Sequence, residues 1–111
     1  MSAVTTHVLD AVLGRPAAGV AVQLHRVESD EVLLIAEGKT DHDGRLRDLG
    51  PDQVPAGTYR ITFETGAWFE AAGRATFYPQ VAVTFTVSED HQHCHVPVLL
   101  SPFAFSTYRG S

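Results

Sequence analysis

The sequence predicts an all-β protein, an antiparallel β-sandwich with one short helix. In several segments apolar residues alternate with polar ones, which is the two-residue period of strands that bury one face. Turn-forming residues separate these segments, as at 28–30, 43–44, 50–51, 55–57 and 88–90. Long helical patterns are missing. Short strands and turns at this density are typical of an antiparallel sandwich.

Each element follows from a local pattern. Residues 5–10 predict an early strand, and residues 20–24, 59–63 and 81–87 alternate apolar with polar side chains. Residues 32–36 are continuously apolar, which favours a strand covered on both faces. Thr65 can cap the first turn of a helix and Gly73 can end it. A last strand contains His93 and His95.

Composition restricts the possible functions. The 111 residues predict a single domain, 1–111, without linker or repeat. The net charge is −5, with one lysine and no basic cluster, so nucleic acid and anionic membranes are unsuitable partners. The lone cysteine, Cys94, fits a reducing compartment, and neither a signal peptide nor a membrane-length apolar run is visible. We expect a soluble, cytoplasmic protein.

Histidines near the carboxyl end are candidates for chemistry. His93 and His95 are two residues apart, so they project from one face of a strand, and His91 joins them if the strand begins early enough. They can act as general bases, bind a metal, or be solvated surface residues. Metal binding is disfavoured because Cys94 points to the opposite face and the remaining ligands are too few. Cys94 is predicted to be a small core residue.

Two more candidates lie earlier in the chain. His7 falls in the first predicted strand, and Arg45 follows the turn at 41–44. The planar guanidinium of arginine pairs well with carbonyl and carboxylate edges. The plain alternatives are a structural histidine and a solvated arginine. The last residues, 103–111, stay rich in aromatic side chains, which predicts a terminus held in the structure, whereas most tails fray.

Short motifs are spread over almost the whole chain: THVLD (6–10), GRPA (14–17), DGR (43–45), FETG (63–66), TFYP (76–79), HVP (95–97), LSP (100–102) and YRGS (108–111). With them the chain resembles the 5-hydroxyisourate hydrolases, the transthyretin-related enzymes of urate breakdown. The final YRGS separates these enzymes from transthyretin itself. The sequence departs from the family at Cys94, where an aromatic residue is usual, and at Trp68, where tyrosine is common.

The resemblance implies a two-sheet sandwich of about eight strands, assembled as a homotetramer, a dimer of dimers, with active sites where the dimers meet. It places the catalytic residues at His7, Arg45 and His95. The residues that line the substrate pocket are Tyr108, Arg109, Gly110 and Ser111. His93 matches a common family position outside the catalytic set.

The implied reaction is hydrolysis of 5-hydroxyisourate, a cyclic amide, without metal or cofactor. Opening the ring at an acyl carbon needs a base for water and a fixed positive group for the developing oxyanion. The histidines fit the first need and Arg45 the second. Two other interpretations remain: a small-molecule carrier of the transthyretin type, and a histidine-based metal hydrolase.

Overall fold

The structure, a computed structural model, describes residues 1–90 and 92–111, so the prediction for His91 lies outside the described residues. Within them the chain forms nine strands and one helix. Their bounds are β1 Val4–Asp10, β2 Arg15–Pro16, β3 Ala21–Val27, β4 Val32–Lys39, β5 Arg45–Leu46, β6 Gly57–Phe63, α1 Thr65–Ala71, β7 Val81–Val87, β8 Cys94–Ser101 and β9 Ala104–Thr107.

The strands form two sheets, which confirms the predicted sandwich. The first sheet has the order β2-β1-β8-β9, and β5 also pairs with β1. The short strands β2 and β5 share one edge of β1, with β5 beside its middle and β2 beside its end. The second sheet has the order β4-β3-β6-β7, and all its pairs are antiparallel.

One strand pair departs from the antiparallel pattern. β1 and β8 run parallel over seven residue pairs, from Val4 opposite Cys94 to Asp10 opposite Leu100. Tight turns imply antiparallel neighbours, whereas a parallel pair needs a long connection between its strands. Here that connection is most of the chain. Local patterns therefore could not predict this pairing.

Alternating side chains from both sheets fill the space between them. Val20, Val22 and Leu24 are completely buried, as the alternation predicted. The same holds for Ile61 and Phe63 of β6, with Tyr59 almost completely buried. From the first sheet the core receives Val4, Val8, Val96, Val98 and Leu100, together with Cys94, whose predicted core position is confirmed.

Two local predictions were wrong. Residues 32–36 do form a strand, but β4 is the edge of its sheet, and Val32, Leu33 and Leu34 are 41–56% exposed. A run of apolar residues cannot distinguish a covered strand from an edge strand. Thr65 does not cap α1, because the cap position is Glu64 and makes no side-chain hydrogen bond. Gly73 follows the cap with a positive φ of 70°, so the predicted end of the helix is confirmed.

A buried ion pair ties the end of β1 to the segment after the helix. Arg74 donates to Asp10 at 2.6 Å, and the Asp10 side chain is almost fully buried. The same carboxylate accepts the N–H groups of Val12 and Leu13, which shapes the turn that leads into β2. Burial alone would raise the pKa of Asp10, but these hydrogen bonds and the charge of Arg74 outweigh it and lower the pKa below 3.8.

No helix among the described residues is long and apolar enough to cross a membrane.

We expect Arg74→Ala to lower the free energy of unfolding by about 3 kcal/mol, because it leaves the buried Asp10 carboxylate unpaired. Urea denaturation measures this loss, and Arg15→Ala, which removes an exposed arginine, is the matched control. Since the pKa of Asp10 is lowered on folding, its contribution is complete above pH 3.8 and is lost as the pH falls below it. Equal stability of the two variants at neutral pH would contradict the assignment.

Candidate active site

The outward face of the first sheet carries the residues predicted for catalysis. Side chains alternate along a strand, so when Val4 and Val8 of β1 enter the core, Thr5 and His7 point away from it. His7 lies directly opposite Arg45 of β5, and Thr5 lies directly opposite His95 of β8. Three strands thus bring together residues that are up to 90 positions apart in the sequence.

The ring of His7 is held by the turn before β5. Its Nε2 lies 2.8 Å from the carbonyl oxygen of Asp43. A carbonyl only accepts, so Nε2 carries the proton and Nδ1 of the neutral ring is left with a lone pair. The half-buried His7 is therefore oriented with one basic nitrogen available.

The turn at residues 41–45 is built by Asp41. Its Oδ1 accepts the backbone N–H groups of Asp43 and Arg45, each at 2.9 Å. These bonds, the one to Arg45 first, lower the pKa of Asp41 below its ordinary value. Gly44 has φ +75°, and a Cβ there would collide with the backbone oxygen of Val8. Only glycine fits, and the turn fixes both Arg45 and the carbonyl that holds His7.

His95 is held from two sides. Its Nδ1 lies 2.8 Å from the Oγ1 of Thr5, and the same hydroxyl is 3.3 Å from Nε2 of His93. On the other side the tail bridges to β8, where the N–H of Gly110 donates to the carbonyl of His95. A Cβ on Gly110 would lie 2.5 Å from Cδ2 of the His95 ring, so a larger residue would displace that ring.

The environment of His95 favours its neutral form. Burial, followed by the positive charges of Arg45, His7 and His93, lowers the pKa of His95 below 6.5. The ring is therefore uncharged at neutral pH, which a general base requires.

A cavity of about 160 Å³ lies beside these side chains. Its walls include His95 and Arg45, and Ser111 from the tail, with Met1, Thr5, Thr6, Arg47 and His93. Among the described residues, no carboxylate forms an ion pair with Arg45, whereas Arg26 and Arg74 are paired. The guanidinium is thus free to bind an anionic or carbonyl group.

The other residues predicted for the pocket are divided between two places. Tyr108 and Arg109 line a second cavity of about 350 Å³ with Val83 and Phe85 of β7. His95 borders both cavities. Gly110 contacts the ring of His95, and Ser111 faces Arg45 and Thr5 across the smaller cavity. The roles of Thr5 and Asp41 were not predicted. For Asp41 the local signal is its place two residues before Asp43-Gly44, and for Thr5 no local signal exists.

Two other features of the surface, a depression along α1 and a small group of potential metal ligands, do not combine histidines with an arginine as this face does. A shallow depression of about 680 Å³ runs along α1, lined by Glu64, Glu70 and Arg74 and without a histidine. In the described part of the chain, the one group of three potential metal ligands is Asp41, His42 and Asp43, all exposed. One carboxylate oxygen of Asp41 is already bonded to two backbone N–H groups.

We expect His95 to titrate below pH 6.5 in an NMR titration of its ring protons. Arg45→Gln removes a positive neighbour and should move that pKa part of the way back, since burial remains. Arg15→Ala, remote from the ring, should leave it unchanged. A titration of His95 at or above 6.5 in the unsubstituted protein would contradict this electrostatic account.

Comparison with known proteins identifies the family. Residues 4–110 match the model of the HIUase/Transthyretin family. The chain is 44% identical to 5-hydroxyisourate hydrolase of Caulobacter vibrioides over the full length of both. Its structure is similar to that of Klebsiella pneumoniae 5-hydroxyisourate hydrolase, with a TM-score of 0.85, 40% identity and coverage of 100% of this chain and 94% of the other.

Sea bream transthyretin in complex with thyroxine is also similar, with a TM-score of 0.91, 35% identity and coverage of 97% and 94%. The backbone is therefore shared by a hydrolase and by a protein solved with a hormone. The family model, the full-length identity and the fold agree: the chain belongs to the HIUase/Transthyretin family.

Proposed function

We propose that this chain hydrolyses 5-hydroxyisourate to 2-oxo-4-hydroxy-4-carboxy-5-ureidoimidazoline in the breakdown of urate. The observation that carries the proposal is Arg45, which no carboxylate of the described residues pairs, beside two oriented histidines on one open sheet face. Hydrolase relatives at 40–44% identity over nearly the whole chain support it. The small cavity suits a compact, flat substrate ringed by carbonyl and N–H groups.

The proposed chemistry uses one nitrogen of each ring, in each case the one that has no hydrogen-bond partner among residues 1–90 and 92–111. Nε2 of His95 takes a proton from water, and Nδ1 of His7 orients that water. The water oxygen attacks a carbonyl carbon of the six-membered ring, and Arg45 stabilises the negative charge that develops on the carbonyl oxygen. The C–N bond then breaks as the ring nitrogen takes the proton held by His95. The carboxylic acid that forms keeps the second proton of the water and releases it to solvent, which leaves a carboxylate.

The proposed reaction uses no metal or cofactor. The positive charge that a metal ion would supply comes from Arg45, and the base is a neutral imidazole. Gly110 and Ser111 bring the tail against this site, and Tyr108 and Arg109 shape its far side through the second cavity.

A small-molecule carrier is the second candidate, favoured by the TM-score of 0.91 to thyroxine-bound transthyretin. A carrier needs a cavity but has no need of oriented bases beside a free guanidinium. Because fold does not fix function, the residues of the site decide between the two.

We also propose a homotetramer, a dimer of dimers. The strands β7 and β9 are edges of their sheets, and every residue of β9 is exposed. Unpaired edges can join two copies into continuous sheets. The apolar side chains of Leu99, Phe103, Phe105 and Tyr108 are 38–67% exposed, so they are available for further contacts between copies.

We expect the purified protein to accelerate the decay of 5-hydroxyisourate, generated in situ by urate oxidase and followed by its ultraviolet absorbance. Arg45→Ala should lower the rate about a hundredfold, because a charge-stabilising donor is lost. Arg15→Ala should retain the full rate, and a parallel run with a strong chelator should match the untreated protein.

Decay no faster than the spontaneous reaction would overturn the proposed enzymatic function and leave the carrier function as the alternative. A thyroxine-binding assay would then test that alternative. Loss of activity only in the chelated sample would instead support a metal hydrolase. A normal rate in Arg45→Ala would remove the guanidinium from the mechanism.

Assembly gives a separate prediction. If the site is completed between copies, the specific activity should fall as dilution produces monomers, measured beside light scattering. Ser106→Lys places like charges on adjoining β9 strands and should weaken assembly. Glu37→Lys is the control, because Glu37 is exposed on β4, the edge of the second sheet that lies away from β7. A monomer with full activity would refute a shared site.

A further inference from the structure

A single buried hydroxyl connects two histidines of different exposure. Thr5 is 3% exposed, and its Oγ1 lies 2.8 Å from Nδ1 of His95 and 3.3 Å from Nε2 of His93. Both rings border the small cavity, where His95 is half-buried and His93 is exposed to solvent. The three groups form a chain of hydrogen bonds from the proposed active site to solvent.

The direction of this chain follows from the role proposed for His95. A hydroxyl has one proton, so Thr5 donates to one ring and accepts from the other. If Thr5 accepts from Nδ1–H of His95 and donates to Nε2 of His93, then Nε2 of His95 has a free lone pair. The opposite direction would put the proton of neutral His95 on Nε2 and remove the base.

We propose that Thr5 and His93 form a two-way proton shuttle that transfers the charge of the catalytic proton from His95 to the solvent-facing His93 and back. The inference rests on the proposed function, with His95 as the base. Thr5 and His93 also line the small cavity, but in this proposal they are positioning residues, since they exchange protons with His95 and not with the substrate.

The first half of the shuttle accompanies the attack of water. An O–H bond of water breaks as a proton joins Nε2 of His95, and the Nδ1 proton moves to the oxygen of Thr5. The hydroxyl proton of Thr5 moves to Nε2 of His93. His95 ends neutral and His93 ends as the imidazolium.

The second half accompanies cleavage of the ring. The C–N bond breaks as Nε2 of His95 gives its proton to the leaving nitrogen. The proton on Thr5 returns to Nδ1 of His95, and the Nε2 proton of His93 returns to Thr5. All three groups regain their starting protons, and the shuttle neither gains nor loses one.

The charges around His95 explain why such a shuttle is useful. Three arginines border this ring or its cavities, namely Arg45 on β5, Arg47 just after it and Arg109 of the tail, and the rings of His7 and His93 add to the positive charge whenever they are protonated. A second positive charge on His95 is disfavoured there, which makes the ring a weak base. Exposed His93 carries the charge in water, where solvation and screening are strongest.

The test compares Thr5→Val, Thr5→Ser, His93→Gln and the control His25→Gln on the other sheet. Thr5→Val should lower kcat about a hundredfold with little change in KM, and Thr5→Ser should restore most of it. His93→Gln keeps a hydrogen-bonding group but cannot hold a charge, so kcat should fall about tenfold and recover with added imidazole. His25→Gln should match the unsubstituted protein.

A second readout is independent of turnover. Nitrogen NMR of the rings should place the proton of neutral His95 on Nδ1, and Thr5→Val should abolish that preference. A proton on Nε2, or a normal kcat without added imidazole in His93→Gln, would overturn the shuttle. If the unsubstituted protein does not accelerate 5-hydroxyisourate decay, the proposed function and the catalytic use of the shuttle both fail, while the ring protons still show whether Thr5 orients His95.

Discussion

The parallel pairing of β1 with β8 is the constraint on which the site depends. It joins residues about 90 positions apart over seven pairs, and every other part of the site is attached to one of these two strands. β5 brings Arg45 to one edge of β1, and the tail reaches Gly110 along β8. Closing so long a loop costs conformational entropy, which the burial of apolar side chains from both strands offsets. Core and site therefore form together.

The same pairing separates core from chemistry by alternation alone. On β1, Val4 and Val8 enter the core while Thr5 and His7 face outward, and on β8 the core-facing Cys94 and Val96 flank His95. A slip of one residue would bury imidazoles and expose valines, so the register that packs the core also orients the two imidazoles proposed as bases. The hydroxyl of Thr6 donates a hydrogen bond of 2.6 Å to the carbonyl of Val96, which further stabilises this register. Stability and the proposed catalysis thus require the same register of these strands.

Features that depend on neighbouring residues in the sequence were predicted, whereas features that depend on which strands pair were not. Alternation identified the buried Tyr59, Ile61 and Phe63, and Gly73 marked the end of the helix, because each is a local property. The exposure of Val32–Lys39 on an edge and the parallel β1–β8 pair depend on neighbours that no local pattern reveals. The grouping of His7, Arg45 and His95 was expected from the family resemblance, since their spacing in the sequence implies no contact. No functional role was predicted for Thr5, because only the register of β1 and β8 shows that it lies opposite His95.

The electrostatics of the outward face explain how one backbone can serve two kinds of protein. This chain carries a net charge of −5, yet Arg45, Arg47 and two histidines line one cavity, and Arg45 has no ion-pair partner among the described residues. Leaving an arginine unpaired gives up the stabilisation that Arg74 obtains from Asp10. This loss of stability is expected where a negative charge appears only during a reaction, because a carboxylate already paired with Arg45 would neutralise the guanidinium before the oxyanion forms. A site of this kind favours the proposed oxyanion over neutral ligands, and it requires nothing of the sheets beyond the positions they already hold in a carrier.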